Sequence, residues 1–286
     1  MSIDLLSSQP AANDGDELEQ IEITLLLEAI YRRYGYDFRD YNYRSIRRRV
    51  LYRMGLLNIA TVSALQEMVL RQTKVFEALV SDFTISVTEM FRDAVFFKAL
   101  REQVLPALRS YPLIRIWHAG CSTGEEVYSM AILLQEEDLY EQSRIYATDI
   151  NPQSLEKANN GIFSLEKMQQ YTRNYQQSGG KRAFSEYYLV RGKDAVFDQD
   201  LKSNIVFAQH NLATDSSFNE FHLIVCRNVL IYFNASLQQR VKELFYRSLA
   251  VSGYLALGNR EGIENVKGDG YYDTVDAGNK IYRKKP

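Results

Sequence analysis

The sequence predicts an α/β protein: a small all-helical N-terminal domain, then a parallel sheet covered by helices on both faces and carrying an inserted antiparallel β-subdomain. Three observations predict it. Apolar residues recur at helical spacing up to about Phe83; past Pro112 short apolar runs alternate with helical stretches; and the interval from Ile162 to Ser203 is too long for an ordinary connection between strands. At 286 residues and 46% hydrophobic content the chain has ample material for a buried core.

Residues 1–17 are polar and carry Pro10, Gly15 and several Ser and Asn, the composition of a flexible tail, so order is expected from Leu18. Residues 18–84 form the helical domain. Its helices are "ITLLLEAIYRRYG", "SIRRRVLYRMGLL", "TVSALQEMVL" and "VFEALVSDF", with Gly35 and Gly55 as stops and Thr61 as a cap. Residues 85–286 form the second domain. "FTISVTEMFRDAVFFKALREQVLPAL" leads through an extended piece into a helix expected to end near Pro106. Strand "LIRIWHA" is followed by a helix from Glu125, "SRIYATDI" by a helix from Pro152, and "FHLIVCRNVLIYF" by a helix from Ser236. "NIVFAQHNL" and "GYLALGN" are further strands, and "GYYDTVDAGNKIYRKK" reads as two strands around a turn, an antiparallel edge. "FSEYYLVRG" and "DAVFD" place the β-insert at about 163–202.

Composition narrows the function. The formal charge of −2, from 34 basic and 36 acidic residues, gives no global attraction to nucleic acid or an anionic membrane. Neither a secretory leader pattern nor a membrane-spanning length of apolar sequence is apparent, and two cysteines suit a reducing compartment, so the expected location is cytoplasmic. Cys121, Cys226, His118, His210 and His222 are too scattered for a metal site, and the histidines read as strand or strand-end residues.

Chemistry concentrates where strand "LIRIWHA" meets "AGCSTGEE". In open parallel sheets ligands bind beyond the carboxyl ends of the strands, where strand order reverses. A glycine turn there is compatible with several nucleotides. Glu125 and Glu126, however, would repel a pyrophosphate at a helix N-terminus that should attract anions. S-adenosylmethionine removes the conflict, because it offers an α-ammonium, a sulfonium and a ribose diol and carries no phosphate. Asp149, ending "RIYATDI", suits the diol. The same acids equally suit a first helical turn and the approach to a helix cap. Asn211 and Leu212 end the third strand, where an amide and backbone groups suit an adenine edge. Cys226 and Arg227 end the fourth; a buried Arg227 needs either an acidic partner in the fold or a ligand carboxylate.

A second feature is the helix "YRSIRRRVLYRMG". Ile46, Val50 and Met54 make one apolar stripe, while Arg44, Arg47, Arg48, Arg49 and Arg53 occupy the rest. Guanidinium forks suit carboxylates. A glutamate-rich partner helix fits this face, and a solvated face is the alternative; aromatic stacking platforms for RNA are not interleaved.

"TISVTEMFRDAVFF", "AGCSTGEEVYSMA", "ATDINPQSLEKANNGIF", Asn211-Leu212 and "CRNVLIYF" together resemble the chemotaxis-receptor glutamate O-methyltransferases of the CheR type, over nearly the whole chain from Ile21. The resemblance implies a helical domain joined to a class I S-adenosylmethionine-dependent methyltransferase domain, Rossmann-like, with a β-subdomain insert. It implies transfer of a methyl group from S-adenosyl-L-methionine, leaving S-adenosyl-L-homocysteine, to glutamates on a chemoreceptor's cytoplasmic coiled coil. Thr88 and Arg92 would close over the cofactor and Glu126 would bind its ammonium. Asp149 would hold the ribose, Asn211 and Leu212 would contact adenine, and Cys226 and Arg227 would line the methionine end. Tyr232 would stand at the methyl-transfer centre. Val127 replaces a frequent proline, Ser86 an asparagine, and "LGNREGI" a more usual glycine-His-Ser-Glu stretch. The alternative is a signalling module that binds the cofactor or its product without turnover.

Overall fold

The computed structural model describes residues 14–84, 87–263 and 270–286. The chain divides into two compact units between Phe83 and Thr84. The first holds α1 (Asp14–Tyr34), α2 (Tyr43–Leu57), α3 (Val62–Arg71) and α4 (Thr73–Phe83). Helix α1 opens at Asp14, inside the stretch expected to be tail; the rest of that expectation lies outside the described residues. Gly35, at φ 78°, ends α1. Thr61 caps α3 by accepting from the Ala64 amide, which stabilises a helix by about 1 kcal/mol. Gly55 does not stop α2: the helix runs on to Leu57 and ends on Asn58 in the left-handed conformation, Asn being the next most tolerant residue there. The stripe Ile46, Val50 and Met54 is buried with Ile23, Leu26, Leu65, Val69 and Leu79.

The second unit begins with a loop and α5 (Ala94–Ala99). A π turn over Leu100–Val104 then feeds α6 (Leu105–Leu108). The helix ends at Leu108, near Pro106 as expected, with the proline itself inside it. Leu105 donates to the Leu100 carbonyl, so the ladder is already widened where proline would otherwise clash. Strands β1 (Ile114–Ala119) and β2 (Ser143–Asp149), joined by α7 (Glu125–Glu136), are parallel and paired from Ile114↔Ser143 to Ala119↔Thr148. After α8 (Pro152–Asn160) comes the insert: β3 (Ile162–Ser164), α9 (Met168–Gln177), β4 (Tyr188–Arg191) and β5 (Asp194–Phe197). It makes its own antiparallel sheet in the order β3-β5-β4. Helix α9 was not expected there; its buried Met168, Tyr171 and Tyr175 recur at helical spacing, a signal masked by the polar residues between them.

The main sheet is completed by β6 (Ile205–Gln209), β7 (Phe221–Cys226), then α10 (Ala235–Ser248), β8 (Leu249–Leu257), β9 (Tyr272–Asp276) and β10 (Ile281–Lys284). Strand order is β6-β2-β1-β7-β8-β10-β9. The first five strands are parallel, and β10 and β9 form the antiparallel edge. From β1 the chain builds outward through β2 to β6, then returns to place β7 on the other flank of β1. The order reverses between β1 and β7, so a crevice opens at their carboxyl ends. Among the described residues no helix is long and apolar enough to cross a membrane.

Candidate active site

The turn after β1 is built for close approach. Gly120 has φ 77°, and a Cβ there would lie 2.5 Å from Val229 Cγ2; Gly124, at φ 94°, would press on Ala158. Its amides are already committed. Gly120 and Cys121 both donate to the Thr148 carbonyl (2.8 and 2.9 Å), Ser122 donates to Asp149 Oδ2 (2.8 Å), and Gly124 to the Cys121 carbonyl (3.1 Å). A phosphate cradle needs such amides free. Gly120→Ala is expected to cost about 1–2 kcal/mol from the left-handed backbone alone, and more from displacing Val229; a chemical denaturation midpoint reads the loss.

The two acids of the turn have different fates. Glu125 is turned inward and is 2% exposed, bonded to Thr123 Oγ1 (2.6 Å) and within reach of Tyr171 (3.4 Å), and burial raises its pKa. It is not on the rim of the crevice, contrary to the expectation for both acids, because adjacent helical residues point about 100° apart. Glu126 is. Its Oε2 accepts from Arg227 Nη1 at 2.9 Å and its Oε1 lies 3.2 Å from His118 Nδ1. Burial opposes the Glu126 charge, but the His118 contact and the Arg227 guanidinium outweigh it and hold the carboxyl below its ordinary pKa.

Arg227 resolves the choice left open by its position. Nη1 bonds Glu126, Nη2 bonds Asp93 Oδ2 at 2.5 Å, and the guanidinium lies over Phe96, 4.0 Å from the ring centroid. It is an ion pair inside the fold. Its Nη1 also reaches the Arg92 carbonyl (3.3 Å), which draws the loop of Thr88 and Arg92 to the end of β7. Ser129 Oγ accepts from Phe91 N (2.8 Å) and Asn174 donates to the Met90 carbonyl (3.0 Å), fixing the same loop to α7 and α9. Phe91 and Asp93 both sit at left-handed φ (51° and 57°), a strain of about 1–3 kcal/mol each that these bonds hold in place. The Arg92 side chain is half-buried and, among the described residues, hydrogen-bonds the Val87 carbonyl alone, at 3.3 Å.

Asp149 ends β2 with Oδ2 on Ser122 N and Oδ1 on Asn151 N (2.9 Å). Each oxygen keeps a lone pair, so a diol can still bond both. Burial raises its pKa. Asn211 accepts from Ala213 N through Oδ1 (3.0 Å), and among the described residues its amide nitrogen has no partner; Leu212 beside it is half-buried. The Cys226 side chain is fully buried and burial pushes its thiol pKa up, so only its backbone could line a crevice. Tyr232 lies half-buried in the short turn Leu230–Tyr232, and Val229 packs that turn over Gly120. Ser86 lies outside the described residues.

Sequence reasoning missed two groups. His118, read as an ordinary strand residue, contacts Glu126. Glu261, in "LGNREGI", keeps the glutamate of the usual stretch; it is buried and accepts from the Gly258, Asn228 and Ile231 amides (2.7, 3.0 and 3.3 Å). It thereby holds the loop from Arg227 to Tyr232. Glu261→Gln leaves at least one of these amides without a good acceptor, and the expected cost is about 1–3 kcal/mol in denaturant unfolding, with methyl transfer falling more than cofactor affinity.

The five-arginine face is also narrower than expected. Arg53 is spent on Asp82 (2.6 Å) and the Ala78 carbonyl, and Arg47 on Glu19. Arg44 and Arg48 are exposed and Arg49 is half-buried. The helix packs against acids of its own unit, so the charge run is partly structural.

Comparison with known proteins decides the family. Residues 86–277 match the SAM-binding domain of the CheR methyltransferases and residues 21–84 match their all-alpha domain. The chain belongs to the CheR methyltransferase family. The protein named Cher3 of Pseudomonas putida is 50% identical over 264 residues, covering 92% of this chain and 97% of the relative. The chemotaxis protein methyltransferase of Listeria monocytogenes is 31% identical over 238 residues, covering 82% and 88%. That of Escherichia coli is 28% identical, covering 84% of each chain. S-adenosyl-L-methionine is therefore the cofactor, and the residues fit it: Glu126, held by Arg227, offers a carboxylate at the start of α7, Asp149 retains acceptors for a diol, and the amides of Gly120, Cys121, Ser122 and Gly124 are withheld from phosphate.

Proposed function

We propose that this methyltransferase esterifies glutamate side chains of chemoreceptor proteins in signal adaptation. The reading is supported by relatives named chemotaxis protein methyltransferase and by what the crevice lacks any need for. A glutamate side chain is already an anion at neutral pH, so no general base is required. When bound, S-adenosylmethionine supplies an electrophilic methyl group. The chain's residues orient and exclude water. Glu126, fixed by Arg227 and His118, receives the cofactor ammonium; Asp149 receives the ribose diol; Asn211 and Leu212 meet the adenine. Thr88 and Arg92, on the tethered loop, cover the cofactor, with Cys226 and Arg227 backing the methionine end. Arg92 also steers the incoming carboxylate, and Tyr232 holds it by its hydroxyl. Arg44, Arg48 and Arg49 offer a face to the receptor's cytoplasmic coiled coil, and the reaction belongs in the cytoplasm. The observation that carries the reading is a crevice that keeps Glu126 and Asp149 at its rim while the amides of Gly120, Cys121, Ser122 and Gly124 are already committed.

The test is transfer of labelled methyl from the cofactor to a chemoreceptor cytoplasmic fragment as a base-labile ester. Tight binding of S-adenosylhomocysteine without any such ester would defeat the reading and favour a binding module without turnover.

A further inference from the structure

Behind the turn that carries Tyr232 lies a second cavity, about 320 Å³, lined by Leu230, Ile231, Gln238 and Lys242 on one side and Asn259, Arg260, Glu261, Gly262 and Lys280 on the other. Its charge is lopsided. Three cations meet one carboxylate, and that carboxylate is consumed by three backbone amides. Lys242 is 8% exposed, whereas Arg260 is exposed, Lys280 is half-buried, and neither of these two has an ion-pair partner among the described residues. Gln238 donates to the Leu230 and Phe233 carbonyls (3.0 and 3.1 Å), fixing the wall shared with the catalytic turn.

We propose that this cavity takes the carboxylate of a second acidic side chain of the methylated protein, next to the glutamate that is esterified. The proposal rests on the glutamate-methyltransferase reading above. An exposed guanidinium and a half-buried ammonium lining one polar recess, with two amide side chains in the same lining, suit an anionic oxygen pair. Ile231 lines the recess and Tyr232, proposed above to hold the glutamate that is esterified, follows it in the same short turn, so one turn of backbone separates the two sites. Occupation would select acidic sequence around the target glutamate.

The probe is a labelled helical peptide bearing glutamates at i and i+4, titrated by fluorescence anisotropy onto the full chain saturated with S-adenosylhomocysteine. The double variant Arg260→Glu with Lys280→Glu is expected to bind it roughly tenfold more weakly, while a lysine-for-glutamate peptide gains affinity for the variant and S-adenosylhomocysteine affinity is unchanged. Equal peptide affinity for both proteins, or no binding to the native chain, overturns the proposal. So does displacement of the peptide by inorganic phosphate well below the concentration at which sodium chloride of equal ionic strength acts, which would mark a small-anion site. Methyl transfer to a receptor fragment is measured separately. Failure there with charge-dependent peptide binding intact sinks the receptor reading alone; transfer with charge-independent binding sinks this one alone.

Discussion

Arg227→Ala is expected to destabilise the sheet-bearing unit by about 3–5 kcal/mol, the cost of breaking a buried ion pair from one side. Removing the guanidinium leaves Glu126 and Asp93 without their common partner, and Asp93 is then held at φ 57° with less to hold it. Guanidinium chloride unfolding measures the loss. The affinity for S-adenosylhomocysteine should fall as well, since Glu126 loses the contact that fixes its Oε2. Replacing the set together, with Arg227→Met, Glu126→Gln and Asp93→Asn, is expected to recover most of the stability and none of the affinity, because desolvated charges cost more unpaired than absent. If Arg227→Ala unfolds at the native denaturant concentration, the ion-pair bridge is not what anchors the loop of Arg92.

Asp149→Ala is expected to weaken S-adenosylhomocysteine binding about a hundredfold, the worth of one to two hydrogen bonds to a charged acceptor. It also strands the Ser122 and Asn151 amides, so the glycine turn loosens as well. Calorimetry reads the affinity. The pH dependence separates this residue from Glu126. Burial raises the Asp149 pKa, so its carboxylate is lost first as pH falls, while Glu126, held below its ordinary value, stays ionised. Affinity should therefore fall on acidification through the raised Asp149 pKa, and in Asp149→Asn that acid limb should disappear. Stability changes in the opposite direction: the charged form of Asp149 is the disfavoured one in the fold, so its ionisation subtracts stability as pH rises. An affinity independent of pH across the mildly acidic range, in the native chain, would remove Asp149 from the site.

Much of this was legible in the residues. Short apolar runs and the 3.6-residue period depend only on local side chains, so β1, β2, β7 and the helices of the first unit follow from sequence. Caps and stops read in the same way, at Thr61 and Gly35, because a turn's needs are met within a few residues. Helix α9 escaped because a polar surface face diluted its buried one. Gly55 misled because a helix tolerates glycine at modest cost when a better terminator, Asn58, follows.

The sequence by itself determined the alternation of strand and helix, the glycine turn, and the set of acids and amides brought to the strand ends. Only the tertiary structure decided which of Glu125 and Glu126 faces the crevice, and that Arg227 answers Glu126 and Asp93 across 101 and 134 residues of chain. It also decided that Glu261 holds the turn of Tyr232 and that Arg53 is spent on Asp82. The physical reason is one of range. Propensity and periodicity act between neighbours in the chain, whereas the orientation of a charged side chain is set by whichever partner the folded backbone carries within about 3 Å, the length of a charge-assisted hydrogen bond.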